Sequence, residues 1–179
     1  PPRTVIVLSS LSVDLPDHMA PLATAYEERY LCYVLLLAKA KNTRVVYVTS
    51  QPMLPRLVDY YLTLIPGLDP HELRERLTVV SLSDSSFRPL TQKILERPRV
   101  IERLRRMLEG SEHTLIIPFM STELEAQLGL ALRTPVYGPD PSLSFLGSKS
   151  GSRQVFARAG HPGPRGVEGV RDLGDVLGA

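Results

Sequence analysis

Cysteine is almost missing: Cys32 stands alone in 179 residues. One thiol cannot close an intrachain disulfide, and a thiolate-rich zinc site is excluded. That scarcity predicts a reducing, cytoplasmic setting. Tryptophan is absent. No apolar run approaches the ~18 residues a membrane span requires; the longest, Leu31 to Ala38, stops at Lys39. The short run after Arg3 gives way to Ser9, Ser10 and Asp14, which is not a secretory signal pattern. The net charge of +2 is too small to predict a nucleic-acid partner. Neither a membrane nor a nucleic acid is therefore expected as a partner.

What remains is the composition of an ordinary folded domain, 43% hydrophobic and 22% charged. Five short apolar runs predict strands: Thr4–Leu8, Arg44–Thr49, Leu77–Leu82, Thr114–Ile117 and Pro135–Tyr137. Three are rich in Val or Ile and nearly continuous, which suits a parallel sheet covered on both faces. Helical patterns lie between them. The first spans about Pro21 to Ala40, with Leu22, Tyr26, Tyr30, Tyr33 and Leu37 expected to face the sheet. Further helices are predicted over Pro55–Ile65, from the Asp69-Pro70-His71-Glu72 cap, over Leu90–Glu96 and over Arg99–Leu108. Thr122-Glu123-Leu124-Glu125 is a capping box opening a helix to about Leu132. Alternation of this kind predicts an α/β fold: a Rossmann-like, doubly wound, mainly parallel sheet of about five strands. After Tyr137 the texture changes, and residues 161–179 hold too few apolar positions for a core of their own. That tail is expected to be mobile unless a partner covers it.

In open α/β sheets, ligands bind beyond the carboxyl ends of the strands. That rule selects Ser9, Ser10, Ser12 and Asp14 after the first strand, and Ser50 and Gln51 after the second. Ser81, Ser83 and Asp84 follow the third; Phe119, Ser121, Thr122 and Glu123 follow the fourth. Hydroxyl, amide and carboxylate groups at one edge suit a polar small molecule. The same residue types also cap helices and make turns.

Other chemistries lack their motifs. No Gly-x-Gly-x-x-Gly follows the first strand, and no Walker sequence is present. Gly147-Ser148-Lys149-Ser150 could approach a phosphate, but a lysine in such a turn is more often simply solvated. His18, His71, His113 and His161 are scattered, without a nucleophile elbow. Asp14, Asp17 and His18 are close in sequence but fit surface turn chemistry better than a metal site. Lys93, Arg97, Arg99, Arg103, Arg105 and Arg106 are expected on a solvated face, partly offset by Glu96 and Glu102. Cys32, among Leu31, Tyr33 and Val34, is expected to be a buried small hydrophobe.

Several segments together carry a resemblance. They are Ser-Leu-Ser-Val-Asp at 10–14, Tyr-Glu-Glu-Arg-Tyr-Leu at 26–31 and Arg-Val-Val-Tyr-Val-Thr-Ser-Gln-Pro at 44–52. Val-Asp-Tyr-Tyr-Leu at 58–62, Ser-Thr-Glu-Leu-Glu at 121–125 and Leu-Gly-Ser-Lys-Ser-Gly-Ser-Arg at 146–153 complete the set. This set resembles the N-terminal part of ATP-grasp peptide ligases of the pheganomycin type. The resemblance implies a pre-ATP-grasp domain over residues 1–138 and the truncated start of an ATP-grasp subdomain over 139–179. It implies ATP and Mg2+ as cofactors of the full-length enzyme, with Lys149 near the nucleotide phosphates. It implies an amino acid or peptide as substrate, activated as an acyl phosphate that an amine attacks. Because the later ATP-grasp segments are not in these residues, the chain alone is expected to be catalytically incompetent, a piece of a longer ligase or a truncated gene product. The rest of that ligase is its expected partner, and a homodimer is a further expectation. The alternative is a non-catalytic, Rossmann-like module that binds a small molecule or a protein.

Overall fold

The computed structural model describes residues 1–13, 18–19, 22–39, 41–168, 170 and 172–177. Strands β1 (Arg3–Leu8), β2 (Thr43–Thr49), β3 (Leu77–Ser81) and β4 (His113–Pro118) form one sheet in the order β3-β2-β1-β4. Every neighbouring pair is parallel, with Val5 opposite Val45 and Leu115. All strands therefore end at the same edge. The expected fifth strand is reduced to one bridge between Val136 and Ile116. Pro135 and Pro139 flank it and bring no N–H to a ladder, so pairing cannot extend. The sheet has four strands rather than about five.

The connection from β1 to β2 begins with α1 (Leu22–Arg29), tightens into a 3-10 turn over Tyr30–Leu35 and ends in α2 (Leu36–Lys39). Its buried stripe is Glu27, Leu31, Val34 and Leu37. The expected stripe is thus displaced: Leu22 is exposed, and Tyr30 and Tyr33 sit at the flank. The cause is Glu27, a carboxylate at the head of the buried row that a search for apolar residues passes over. Cys32 is exposed, contrary to expectation, because it falls on the opposite side from Leu31 and Val34.

From β2 to β3 run α3 (Pro55–Thr63) and α4 (Pro70–Glu75); Asp69 caps α4 by accepting from His71 N (3.0 Å). From β3 to β4 run α5 (Leu90–Leu95) and α6 (Pro98–Leu108), and α7 (Glu123–Leu132) follows β4. Val5, Val7, Val45 and Tyr47 pack against the first group of helices through Leu31, Val34, Val58, Leu62 and Leu73. Ile6, Leu8, Val46, Val48 and Ile116 pack against the second through Ile94, Leu104 and Leu128. Alternate residues of each strand thus face opposite layers, and both layers are apolar.

The contacts divide the chain into two compact units, Pro1–Gly138 and Pro139–Ala179. In the second, a 3-10 segment (Pro141–Gly147) leads into α8 (Lys149–Arg158), and α9 (Leu173–Leu177) lies near the end. Ser148 Oγ caps α8, accepting from Gly151 N (3.0 Å) and donating to Phe145 O (2.6 Å). Arg153 binds Glu168 (2.9 Å), Gly166 O (2.9 Å) and Pro164 O. Among the described residues of this unit, Gly151 alone is buried.

Gly129 of α7 packs tightly against the bridge segment. A Cβ there would lie 2.7 Å from Val136 Cγ2 and 3.1 Å from Thr134 O. Glycine-to-alanine changes in helices are usually stabilising by roughly 1 kcal/mol. Here the overpacking should reverse the sign: Gly129→Ala is expected to destabilise by about 1–3 kcal/mol in urea denaturation.

Candidate functional site

Two buried carboxylates organise the carboxyl edge. Glu125, in the first turn of α7, is fully buried. Its Oε2 accepts from Thr122 N (3.0 Å) and Thr122 Oγ1 (2.6 Å), which is the capping box read from the sequence. Its Oε1 accepts from Ser12 Oγ (2.5 Å) and from Thr91 Oγ1. Ser10 Oγ completes the cluster by accepting from Thr91 N (3.1 Å) and lying 2.8 Å from Ser12 Oγ. Glu125 thereby joins the β1 loop, the start of α5 and the start of α7.

Glu27, the second carboxylate, is only 4% exposed. Its Oε2 accepts from Ser50 N and its Oε1 from Ser50 Oγ, both at 2.6 Å. Its backbone carbonyl accepts from the buried Tyr47 phenol (2.5 Å). Burial pushes its carboxyl above the usual carboxylate range, against the Ser50 hydrogen bonds and the nearby Lys93 charge, which pull it down. Lys93 approaches from the other side. Its Nζ donates to Ser50 Oγ (3.0 Å) and Asp84 O (3.1 Å). It is 2% exposed, so the expectation that it sits on a solvated basic face is wrong. Burial pushes its ammonium below the usual lysine value, opposed by Asp84 and Glu27. Asp84 accepts from Ser86 N (2.8 Å) and pairs with Arg97. Arg99, Arg103 and Arg106 do lie exposed on α6, and Arg105 pairs with Glu102 (3.8 Å). Glu96, by contrast, pairs with Arg88 and not with the basic group.

Ser9, Ser10, Ser50 and Thr122 are thus brought together at the edge, with their polar groups mostly turned inward. Ser9 lies buried beside the Tyr47 phenol. Gln51 and Ser121 are half-buried and Glu123 is exposed; none of the three side chains has a hydrogen-bond partner among the described residues. These are among the polar groups at this edge free to meet a ligand, as is the exposed Ser83 hydroxyl after β3. Asp14 lies outside the described residues. Phe119, just beyond β4, packs against Tyr30 with the rings tilted by 33° and their centroids 4.3 Å apart, and adds an apolar wall. Lys149 heads α8, exposed and without a partner among the described residues. It belongs to the second unit. Sequence reasoning missed Glu27, Lys93 and Thr91. The spacing of Glu27 four residues before Leu31, in the same row as Val34 and Leu37, was the signal that could have found the first.

A doubly wound domain with a polar carboxyl edge defines a broad class, and comparison narrows it. Residues 34–134, more than half of the chain, match the family described as the Pre ATP-grasp domain. The chain belongs to that family. It is also 32% identical over 157 residues to the L-propargylglycine--L-glutamate ligase of Streptantibioticus cattleyicolor, which covers 85% of this chain and 32% of that protein. The chain therefore spans about a third of the length of that relative. No solved structure matches.

Two substitutions test the electrostatics. Glu125→Ala removes the acceptor shared by four donors and leaves buried hydroxyls unpaired. It should cost about 3 kcal/mol or more in urea denaturation, while exposed Glu123→Ala should change stability by less than about 0.5 kcal/mol. Ser86, through its hydroxyl and N–H, and then Arg97 hold the Asp84 carboxyl well below its ordinary 3.8. The folded value lies below the unfolded one, so this stabilisation is present above pH 3.8 and lost as pH falls through and below it. The stability difference between the wild-type protein and Asp84→Asn should be full near neutrality and shrink steadily on acidification.

Proposed function

We propose that residues 1–138 form the substrate-side domain of an ATP-dependent carboxylate–amine ligase, and that residues 139–179 begin its first ATP-grasp subdomain. The observation that carries this is the 32% identity, sustained over 85% of the chain, to a protein named as an amino-acid ligase. The substrate class is an amino acid or a peptide. Gln51, Ser121 and Glu123 are its polar contacts at the carboxyl edge, within the framework set by Ser9, Ser10, Ser50 and Thr122.

Residues 139–177 support the second half of the proposal. They expose Leu143, Phe145, Leu146, Val155, Phe156, Leu173 and Leu177, an apolar surface suited to burial against further ligase structure. For nucleotide phosphates the donor set fits: Lys149 brings a cation to the head of α8, where backbone N–H groups point outward. ATP, when bound, supplies the phosphoryl group that activates the carboxylate; Lys149 orients its phosphates. For magnesium the described residues hold no group of three His, Cys, Asp or Glu side chains, and no metal ligand is assigned among them.

The test is ADP release with ATP, Mg2+ and each amino acid in turn. The intact gene product should release ADP in an amino-acid-dependent manner, and the 179-residue chain alone should not exceed background. A Lys149→Ala change in the intact protein should raise the KM for ATP. Amino-acid-dependent turnover by the short chain, or its absence from the intact protein, would contradict the proposal; the second result would favour a binding module without chemistry.

A further inference from the structure

Glu27, Lys93 and Glu125 are the buried acidic and basic side chains among the described residues, and all lie at the carboxyl edge. Glu125 has a local task, because it caps its own helix. Glu27 and Lys93 have none of that kind. They come from different helices, α1 and α5, and meet on one small side chain. Ser50 donates its hydroxyl proton to Glu27 and accepts from Lys93, so the direction of each bond is fixed. Ser50 N also donates to Glu27. On its far side, Ser50 O accepts from Asp84 N (2.9 Å), and Asp84 O accepts from Lys93. The ring therefore clamps two turns together, one after β2 and one after β3. The second turn contains Ser83 in the left-handed region at φ 52°, a conformation that persists only where neighbours impose it.

Packing alone does not call for this arrangement. The sheet is already covered by apolar layers, and a buried ion pair is often replaceable by hydrophobic residues without loss of stability. What the ring adds is a single orientation for the backbone on either side of Ser50. Gln51, the next residue, carries one of the few side-chain amide or hydroxyl groups at this edge left without a partner.

We propose that Glu27 and Lys93 are positioning residues. Acting on Ser50 from both sides, they hold the two turns so that Gln51 is presented to the amino-acid substrate. This deepens the ligase function proposed above and rests on it. The claim about the turns can be read without activity, and the claim about the substrate with it.

Three variants separate positioning from stability: Glu27→Gln, Lys93→Met and the double change. In the single variants, the Ser50 and Asp84 amides should exchange with deuterium about 10-fold faster or more, while Val46 and Val48 within β2 keep their protection. The double variant removes both charges together, so its urea midpoint should return toward that of the wild type, but its Ser50 and Asp84 amides should still exchange fast. In the intact protein, all three should raise the KM for the amino acid about 10-fold with kcat and the KM for ATP nearly unchanged, as should Gln51→Ala. Unchanged exchange in the single variants would overturn the proposal. So would recovery of slow exchange, or of the KM, in the double variant, since the pair would then serve only to neutralise each other. If the wild-type intact protein shows no amino-acid-dependent ADP release, the ligase function fails and the claim about Gln51 fails with it, while the exchange rates still decide whether the clamp exists.

Discussion

A carboxylate taken out of water keeps its charge only where donors surround it, and that constraint shapes the working edge of this domain. Glu125 draws donors from the β1 loop, from α5 and from the α7 cap. Glu27 draws them from the turn after β2, and Lys93 links that turn to the one after β3. The parallel sheet makes this convergence possible, because it ends every strand on the same side. Loops distant in sequence become neighbours there, and two acidic side chains bind them into one surface.

The same constraint sorts the polar residues of that surface into two kinds. Ser10, Ser12, Ser50, Thr91 and Thr122 spend their hydroxyl groups on the buried network. Gln51, Ser121 and Glu123 do not: Glu123 is exposed and the other two are half-buried. A rigid inner shell with a sparse free outer one is what selective binding of a small polar molecule requires. The domain that carries this surface belongs to the pre-ATP-grasp family.

Much of the fold is legible in the sequence. Strands buried on both faces must be continuously apolar, so Val5–Leu8 and Val45–Val48 announce themselves. Caps are local, so Asp69 and Thr122 do too. Failures occur where a tertiary contact overrides the residue's usual habit. Glu27 and Lys93 look like solvent-facing helix residues, yet Ser50 lets both be buried. Once Glu27 heads the inward row, Cys32 is turned outward. The fifth run has the right composition, but prolines on both sides limit it to one bridge. Which loops converge on the carboxyl edge is legible from topology; which hydroxyl groups the buried network takes up is not, because it depends on partners more than 30 residues apart in sequence, such as Thr91 and Glu125.

The role proposed for the carboxyl edge is to meet an amino-acid substrate. A structure of the intact protein with ATP and the amino acid that stimulates ADP release tests it most directly. The amino acid should lie against Gln51 and the 119–123 loop. Finding it at the opposite end of the strands, beside Arg3 and His113, would rule that role out.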